Sequence, residues 1–360
     1  MTCRLALVCS LSLASIGVAV AATGPELNAA IAGTLVADSS SIGPATLHRA
    51  DWALSAPPPT VMEKTFMPEG WDPHEFSSPA RYFWPNPSKP GGLPWIVRDG
   101  EPNLEAIAKS DEPRLARMVG DVVALVDAWS ATGAEKYASR AELYLRAWFL
   151  DPATRMKPDF RGAQFIPGKN RGRGTGLIDM ATFHRLLDAV AQLDRWPGRD
   201  VVERRDFAAW CREYLAWLDS DRGAATESRA KNNHGTWFAV QRASFLVFLG
   251  KDAEARTFIA QSAKRLAAGQ FASDGEQPLE SARADGISYS LYNLAAWEAL
   301  VELGRRCGAK FDETPMRRAA AWLAPFVADP STWPKSQKNR VPANADATLA
   351  FWLSARSAAS

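Results

Sequence analysis

From residue 111 onward, apolar residues recur three and four positions apart, and the pattern restarts after each polar interruption. That spacing, more than any other feature, limits what the chain can fold into. Its first instance is Leu115, Met118, Val119, Val122, Leu125, Val126 and Trp129, behind Asp111-Glu112-Pro113, a good helix start. Further helices are predicted over residues 137–150, 177–193, 207–218, 238–249, 253–268, 291–303, 315–327 and 343–353. No segment sustains the alternation of a half-buried strand. Helices of this length on short connections predict an all-α fold of antiparallel pairs in a ring or arc, each hiding an apolar stripe against its neighbours. A solenoid of repeats would need a fixed period, and none is present. In such a ring the polar inserts can converge at one end, where functional loops belong.

The chain opens differently. Arg4 precedes an almost unbroken apolar or small run from Leu5 to Val20, closed by Ala19-Val20-Ala21. This reads as a signal peptide over residues 1–21, leaving 22–360 as one domain in the periplasm or outside the cell. The run is short for a membrane span and no basic flank follows it. No later stretch approaches about twenty uncharged apolar residues, so stable membrane insertion is not expected. Cys211 and Cys307 remain after cleavage, in helical patterns, either bridged or as buried thiols. The net charge of +2 is too small to point to nucleic acid. It leaves room for an anionic ligand, because a site can be basic when the surface is not. The 14 tryptophans are more than usual; many belong in a core, and some suit flat platforms under sugar rings.

Three polar islands interrupt the apolar pattern. Residues 22–60 read as short helical or irregular pieces. The segment at about 57–100 is rich in proline yet holds Trp71, Tyr82, Phe83, Trp84 and Trp95, so it reads as a structured loop region over the domain. It is either a packed wrap or the wall of a cleft. A second irregular segment, 151–175, ends in Asn170-Arg171-Gly172-Arg173-Gly174; without a preceding strand this is no phosphate loop, and it reads as a flexible basic loop suited to an acidic ligand. The other islands are Lys231-Asn232-Asn233-His234-Gly235-Thr236-Trp237 and Glu280-Ser281-Ala282-Arg283-Ala284-Asp285-Gly286-Ile287-Ser288-Tyr289, each opening a helical pattern.

Their side chains point to one chemistry. His234 can move a proton near neutral pH, and Asn233 can donate two hydrogen bonds without charge. Gly235 allows close backbone approach, and Thr236 is placed to cap the following helix. Arg283 matches a carboxylate in a two-point fork, and nearby positive charge favours the phenolate of Tyr289. Six positions on one helix place these two about 120° apart, so one of them must sit at the mouth or in the loop. His184 is either a satisfied core residue or a second histidine facing the cavity. The four histidines are isolated, so no metal set is expected, and no nucleophile elbow is present. Amide, imidazole, guanidinium and phenol together suit β-elimination from a uronate. The carboxylate is neutralised, a base takes the C5 proton, and an acid protonates the leaving O4. For mannuronate or glucuronate both groups lie on one side of the ring and Tyr289 can serve both steps. For guluronate they lie on opposite sides, with His234 as base and Tyr289 as acid.

Asn232-Asn233-His234-Gly235-Thr236-Trp237, then Tyr82-Phe83-Trp84-Pro85-Asn86-Pro87 with Gly92-Leu93-Pro94-Trp95 and Arg98-Asp99-Gly100, then Gln277-Pro278-Leu279-Glu280 with Arg283 and Tyr289, resemble the alginate lyase superfamily of helical-toroid polysaccharide lyases over about residues 60–330. The resemblance implies an incomplete (α/α) toroid and a secreted or periplasmic enzyme that eliminates on alginate or glucuronan without a cofactor. It implies Asn233, His234, Arg283 and Tyr289 as catalytic, with His184, Tyr82, Trp84, Arg98 and Trp237 on the substrate. Gly235-Thr236-Trp237 stands where many bacterial alginate lyases carry Ser-Tyr-Trp, and looks closer to relatives acting on glucuronan or mixed uronates. A hydrolase with two carboxylates across the cleft and a non-catalytic periplasmic glycan binder are the alternatives.

Overall fold

The computed structural model describes residues 42–354; the signal-peptide segment lies outside the described residues. The described helices are α1 (Pro44–Ser55), α2 (Leu104–Ala108), α3 (Glu112–Thr132), α4 (Glu135–Leu145), α5 (Phe183–Leu193), α6 (Val201–Ser220), α7 (Arg222–Glu227), α8 (Asn233–Phe248), α9 (Asp252–Gln270), α10 (Pro278–Ser281), α11 (Gly286–Cys307), α12 (Thr314–Ala328) and α13 (Ala345–Leu353). The strands are short: β1 (Ser77–Pro79), β2 (Phe83–Trp84), β3 (Ile96–Val97) and β4 (Gly162–Phe165).

Helices α3, α5, α8 and α11 touch in that order and form the inner layer, with α4, α6, α9 and α12 on their outer sides. This is the incomplete (α/α) toroid. Layer position follows from composition. Helices α8 and α11 are apolar nearly all round and lie buried between neighbours, whereas α4 and α6 carry charge on their solvent sides. Between layers the packing is aromatic: Tyr214 of α6 meets Phe245 of α8 at 4.8 Å, and Trp210 of α6 stacks on Phe183 of α5 at 6.3 Å. Trp148, Trp297 and Trp352 are fully buried, so much of the tryptophan content is core. Cys211 and Cys307 are buried free thiols. Among the described residues no helix is long and apolar enough to cross a membrane.

Three boundaries differ from the sequence reading, each for a local reason. The span 177–193 is not one helix, because a 3-10 segment (Gly174–Met180) precedes α5. Helices α8 and α11 begin five positions before the apolar pattern, at Asn233 and Gly286, because their first turns are built from the polar islands. Residues 44–55, within the stretch read as short helical or irregular pieces, form the regular 12-residue α1 against α3 and α4. The proline-rich region is held by two small sheets. Strands β2 and β3 pair antiparallel, Phe83 opposite Val97, while β1 and β4 run parallel, bringing residues 77–79 beside 162–165.

Candidate active site

The two helix starts and the proline-rich wall converge on one cleft of about 290 Å³. It is lined by Asn233 and His234 from α8, Tyr289 and Tyr292 from α11, Arg283 between α10 and α11, and Tyr82, Phe83 and Asp99 from the wall.

Helix α8 can start where it does because residue 235 is glycine: a Cβ there would collide with the Ala230 carbonyl. Thr236 is not a cap. Its buried hydroxyl donates to Asn293 Oδ1 at 2.9 Å and accepts from Gln270 Nε2 at 2.8 Å. Gln270 Nε2 also donates to the Asn232 carbonyl at 2.9 Å, which ties the island to the end of α9. Asn233 is 1% exposed, and both its backbone N–H and its Nδ2 donate to the buried Glu280 carboxylate, each at 2.6 Å. Its backbone N–H and one Nδ2 N–H are therefore used inside the protein, and its Oδ1 is without a protein partner. Desolvation raises the Glu280 carboxyl above its usual range, opposed by these bonds from Asn233. His234 Nδ1 is hydrogen-bonded to the Glu227 carboxylate, an acceptor, so the ring carries its proton on Nδ1 and leaves Nε2 available.

Arg283 lies in the turn before α11 and Tyr289 in the first turn of that helix, which solves the angular problem of their spacing. Arg283 Nη2 donates to Asp99 Oδ1 at 2.8 Å and to the Tyr289 hydroxyl at 3.1 Å. Its guanidinium lies 4.1 Å from the Tyr289 ring centre. The Tyr289 hydroxyl shares a second hydrogen bond, 2.7 Å, with the Tyr82 hydroxyl. Burial pushes the Tyr289 phenol well above its ordinary value; the Tyr82 phenol adds to this and Arg283 opposes it. Desolvation thus outweighs the positive charge that the sequence reading relied on, and the resting phenol is protonated. Burial alone would lower the Arg283 value, but Asp99 and the two phenols outweigh it and keep the guanidinium charged.

Tyr82, Asn233, His234, Arg283 and Tyr289 thus meet in the cleft; His184, Trp84, Arg98 and Trp237 do not line it. Phe83 and Val97 line the cleft, as does Tyr82 just before β2, whereas Trp84 and Arg98 do not and pack on each other, guanidinium to ring centre 5.5 Å. His184 is buried behind the wall, its Nδ1 2.7 Å from the Ala181 carbonyl and its ring 5.8 Å from Trp237. Trp237 in turn packs 5.0 Å from Tyr292, which does line the cleft. Burial lowers the His184 pKa to about 4, the value of a neutral core residue. Sequence reasoning missed Gln164, Arg173 and Asp179 on the opposite wall, and Glu227 and Glu280 as partners of His234 and Asn233. The Gly/Arg run held a signal for Arg173; nothing local marks Gln164 or Asp179.

The chain matches the family described as alginate lyase over residues 60–333. It belongs to that family. The crystal structure of an alginate lyase from Bacteroides ovatus is similar at 33% identity and a TM-score of 0.79, covering 85% of this chain and 81% of that one. A tetrasaccharide complex of alginate lyase A1-III is similar in fold, at 16% identity and a TM-score of 0.51, covering 87% of this chain and 78% of that one. No curated protein sequence matches. As a member of the alginate lyase family the chain is a polysaccharide lyase, and the hydrolase and binder alternatives give way. The carboxylates of the cleft agree with this. Asp99 is paired with Arg283, Glu112 with Arg81, and Asp179 is held by Ser78 and Gln164, so among the described residues lining the cleft each carboxylate is already engaged.

Proposed function

We propose that this lyase cleaves 1,4-linked uronate chains of the alginate or glucuronan type, with Tyr289 as the group that protonates the leaving O4. The carrying observation is the Tyr289 hydroxyl, held between Tyr82 at 2.7 Å and Arg283 at 3.1 Å in the cleft that also contains Asn233 and His234. A protonated phenol in that position is ready to act as an acid. Arg283 meets the carboxylate of the reacting ring and stabilises the negative charge that grows there as the C5 proton leaves. Asn233, whose backbone N–H and Nδ2 donate to Glu280, presents its Oδ1, which accepts a hydrogen bond from a sugar hydroxyl or from a carboxyl group in its protonated form.

The base follows from substrate stereochemistry. When the C5 proton and O4 lie on opposite sides, as in guluronate, His234 Nε2 takes the proton; Glu227 fixes the tautomer this requires and supports the imidazolium that forms. When they lie on one side, as in mannuronate or glucuronate, Tyr289 must lose its proton before it can take the one on C5. Arg283 helps that loss; burial and Tyr82 oppose it. The N-terminal pattern at residues 1–21 supports an exported enzyme, where such polymers are met.

The test is ultraviolet absorbance of purified residues 22–360 on polymannuronate, polyguluronate, glucuronan and hyaluronan, assayed separately. A rise on one of the first three names the substrate, because only elimination leaves a 4,5-unsaturated uronate. New reducing ends without absorbance would overturn the reading, as would turnover of hyaluronan alone.

A further inference from the structure

Three arginines line the cleft, and two of them are neutralised: Arg81 by Glu112 and Arg283 by Asp99. Arg173 makes no ion pair among the described residues. Its bonds go to neutral groups of Gln164, from Nε to the carbonyl at 3.2 Å and from Nη2 to Oε1 at 2.9 Å. We infer that Arg173 is a second carboxylate receptor, taking the uronate next to the one that reacts, with the chain continuing into the pocket beyond it. The inference rests on the uronate reading above and extends it to recognition of a neighbouring sugar.

Two further features support it. The guanidinium is held rigidly rather than on a flexible loop. Gln164 adopts a left-handed backbone, φ +50°, an uncommon conformation for a residue with a side chain. Its N–H donates to Ser78 Oγ at 2.8 Å and its Nε2 to Asp179 Oδ1 at 2.8 Å, leaving Oε1 fixed toward Arg173. The glycines on either side are pressed against backbone: a Cβ on Gly172 would run into the Arg161 carbonyl, and one on Gly174 into that of Gly223. A strained residue and two glycine contacts all hold one side chain in place. Burial also lowers the Arg173 pKa, opposed by the charges of Asp179 and Glu227, neither of which forms an ion pair with it among the described residues.

Arg173 also borders a second pocket of about 180 Å³, whose walls include Arg161 and the half-buried Trp217. One guanidinium thus faces the cleft on one side and, on the other, a space lined by an aromatic face, Asp221 and Arg161, the last paired with Asp159 at 2.6 Å. A polymer with one carboxylate on every ring fits this arrangement. Arg283 bonds to the Tyr289 hydroxyl and so serves the reacting ring; Arg173 shares no bond with Tyr289 and serves a neighbouring ring.

The experiment compares wild type, Arg173→Gln and Arg173→Lys on the polymer that wild type turns over, with thermal melts to establish folding. The expected result is a KM raised roughly tenfold or more for Arg173→Gln at nearly unchanged kcat, because one charge-assisted bond is lost in ground and transition states alike. Arg173→Lys should recover part of that loss, and the KM of Arg173→Gln should depend less on salt than that of wild type. Unchanged KM, or a fall in kcat alone, would overturn the assignment. If Arg173→Gln does not fold, Arg173→Lys carries the test, with a raised KM at retained kcat expected and a wild-type KM against it. Should wild type eliminate on no uronate polymer, the functional reading itself fails, which is a distinct outcome.

Discussion

Tyr289→Phe and Tyr82→Phe remove hydroxyls that touch each other, yet their consequences should differ by orders of magnitude. The Tyr289 hydroxyl accepts from Arg283 and shares a proton with Tyr82 at 2.7 Å, so deleting it costs one charge-assisted and one neutral hydrogen bond. In a cleft open to water those groups find other partners, so stability should fall by only about 1–2 kcal/mol. Its part in catalysis is larger. A positioned acid or base supplies about 10²–10⁴ in rate, so kcat should drop by at least a hundredfold, about 2.7 kcal/mol or more of barrier. A phenol serving both proton transfers belongs at the upper end of that range. Tyr82→Phe loses one neutral hydrogen bond, about 1 kcal/mol, which is about fivefold in rate. It also removes one of the influences that raise the Tyr289 pKa, so on a same-side substrate its pH–rate profile should move to lower pH. The assay is the ultraviolet rise at saturating substrate across a pH series, with melting curves for each variant. Folded Tyr289→Phe with near wild-type kcat would refute the assignment. Tyr82→Phe as damaging as Tyr289→Phe would move the acid to Tyr82.

Glu280→Ala should lower stability by about 2–4 kcal/mol, read from the denaturant midpoint, because it strands the N–H and Nδ2 of Asn233 in a buried position. An unchanged midpoint would mean that water satisfies both donors. His184 has a folded pKa of about 4, below its unfolded value, so its contribution is complete above about pH 6.5 and is lost as pH falls toward 4. That amounts to about 3 kcal/mol, and His184→Gln should flatten the stability profile across this interval; an equally steep profile in the variant refutes the burial argument. Gly174→Ala drives a methyl into the Gly223 carbonyl, so it should cost about 1–3 kcal/mol and raise KM through Arg173; a melt and a KM equal to wild type would show that the loop can yield.

What the sequence determined by itself was local. Helical spacing sufficed for the all-α fold, because an apolar stripe at 3.6-residue period has few ways to be buried. The islands at residues 231–237 and 280–289 were visible as breaks in that spacing, which is why Asn233, His234, Arg283 and Tyr289 could be named beforehand. Where helices α8 and α11 begin was not visible, since Asn233, His234, Gly235 and Gly286 have low helix propensity inside first turns that tertiary contacts with Glu280, Gln270 and Gln337 stabilise. Nor does a sequence state which residues of a wall face a cleft: Tyr82, Phe83 and Val97 line it, whereas Trp84 and Arg98 pack on each other. Only the folded chain decided the electrostatics. Burial, not Arg283, governs the Tyr289 phenol, and Glu227, Gln164 and Asp179 act through space on residues 7 to 15 or more positions away. Desolvation and long-range pairing depend on what surrounds a side chain, and that is set only when distant segments pack.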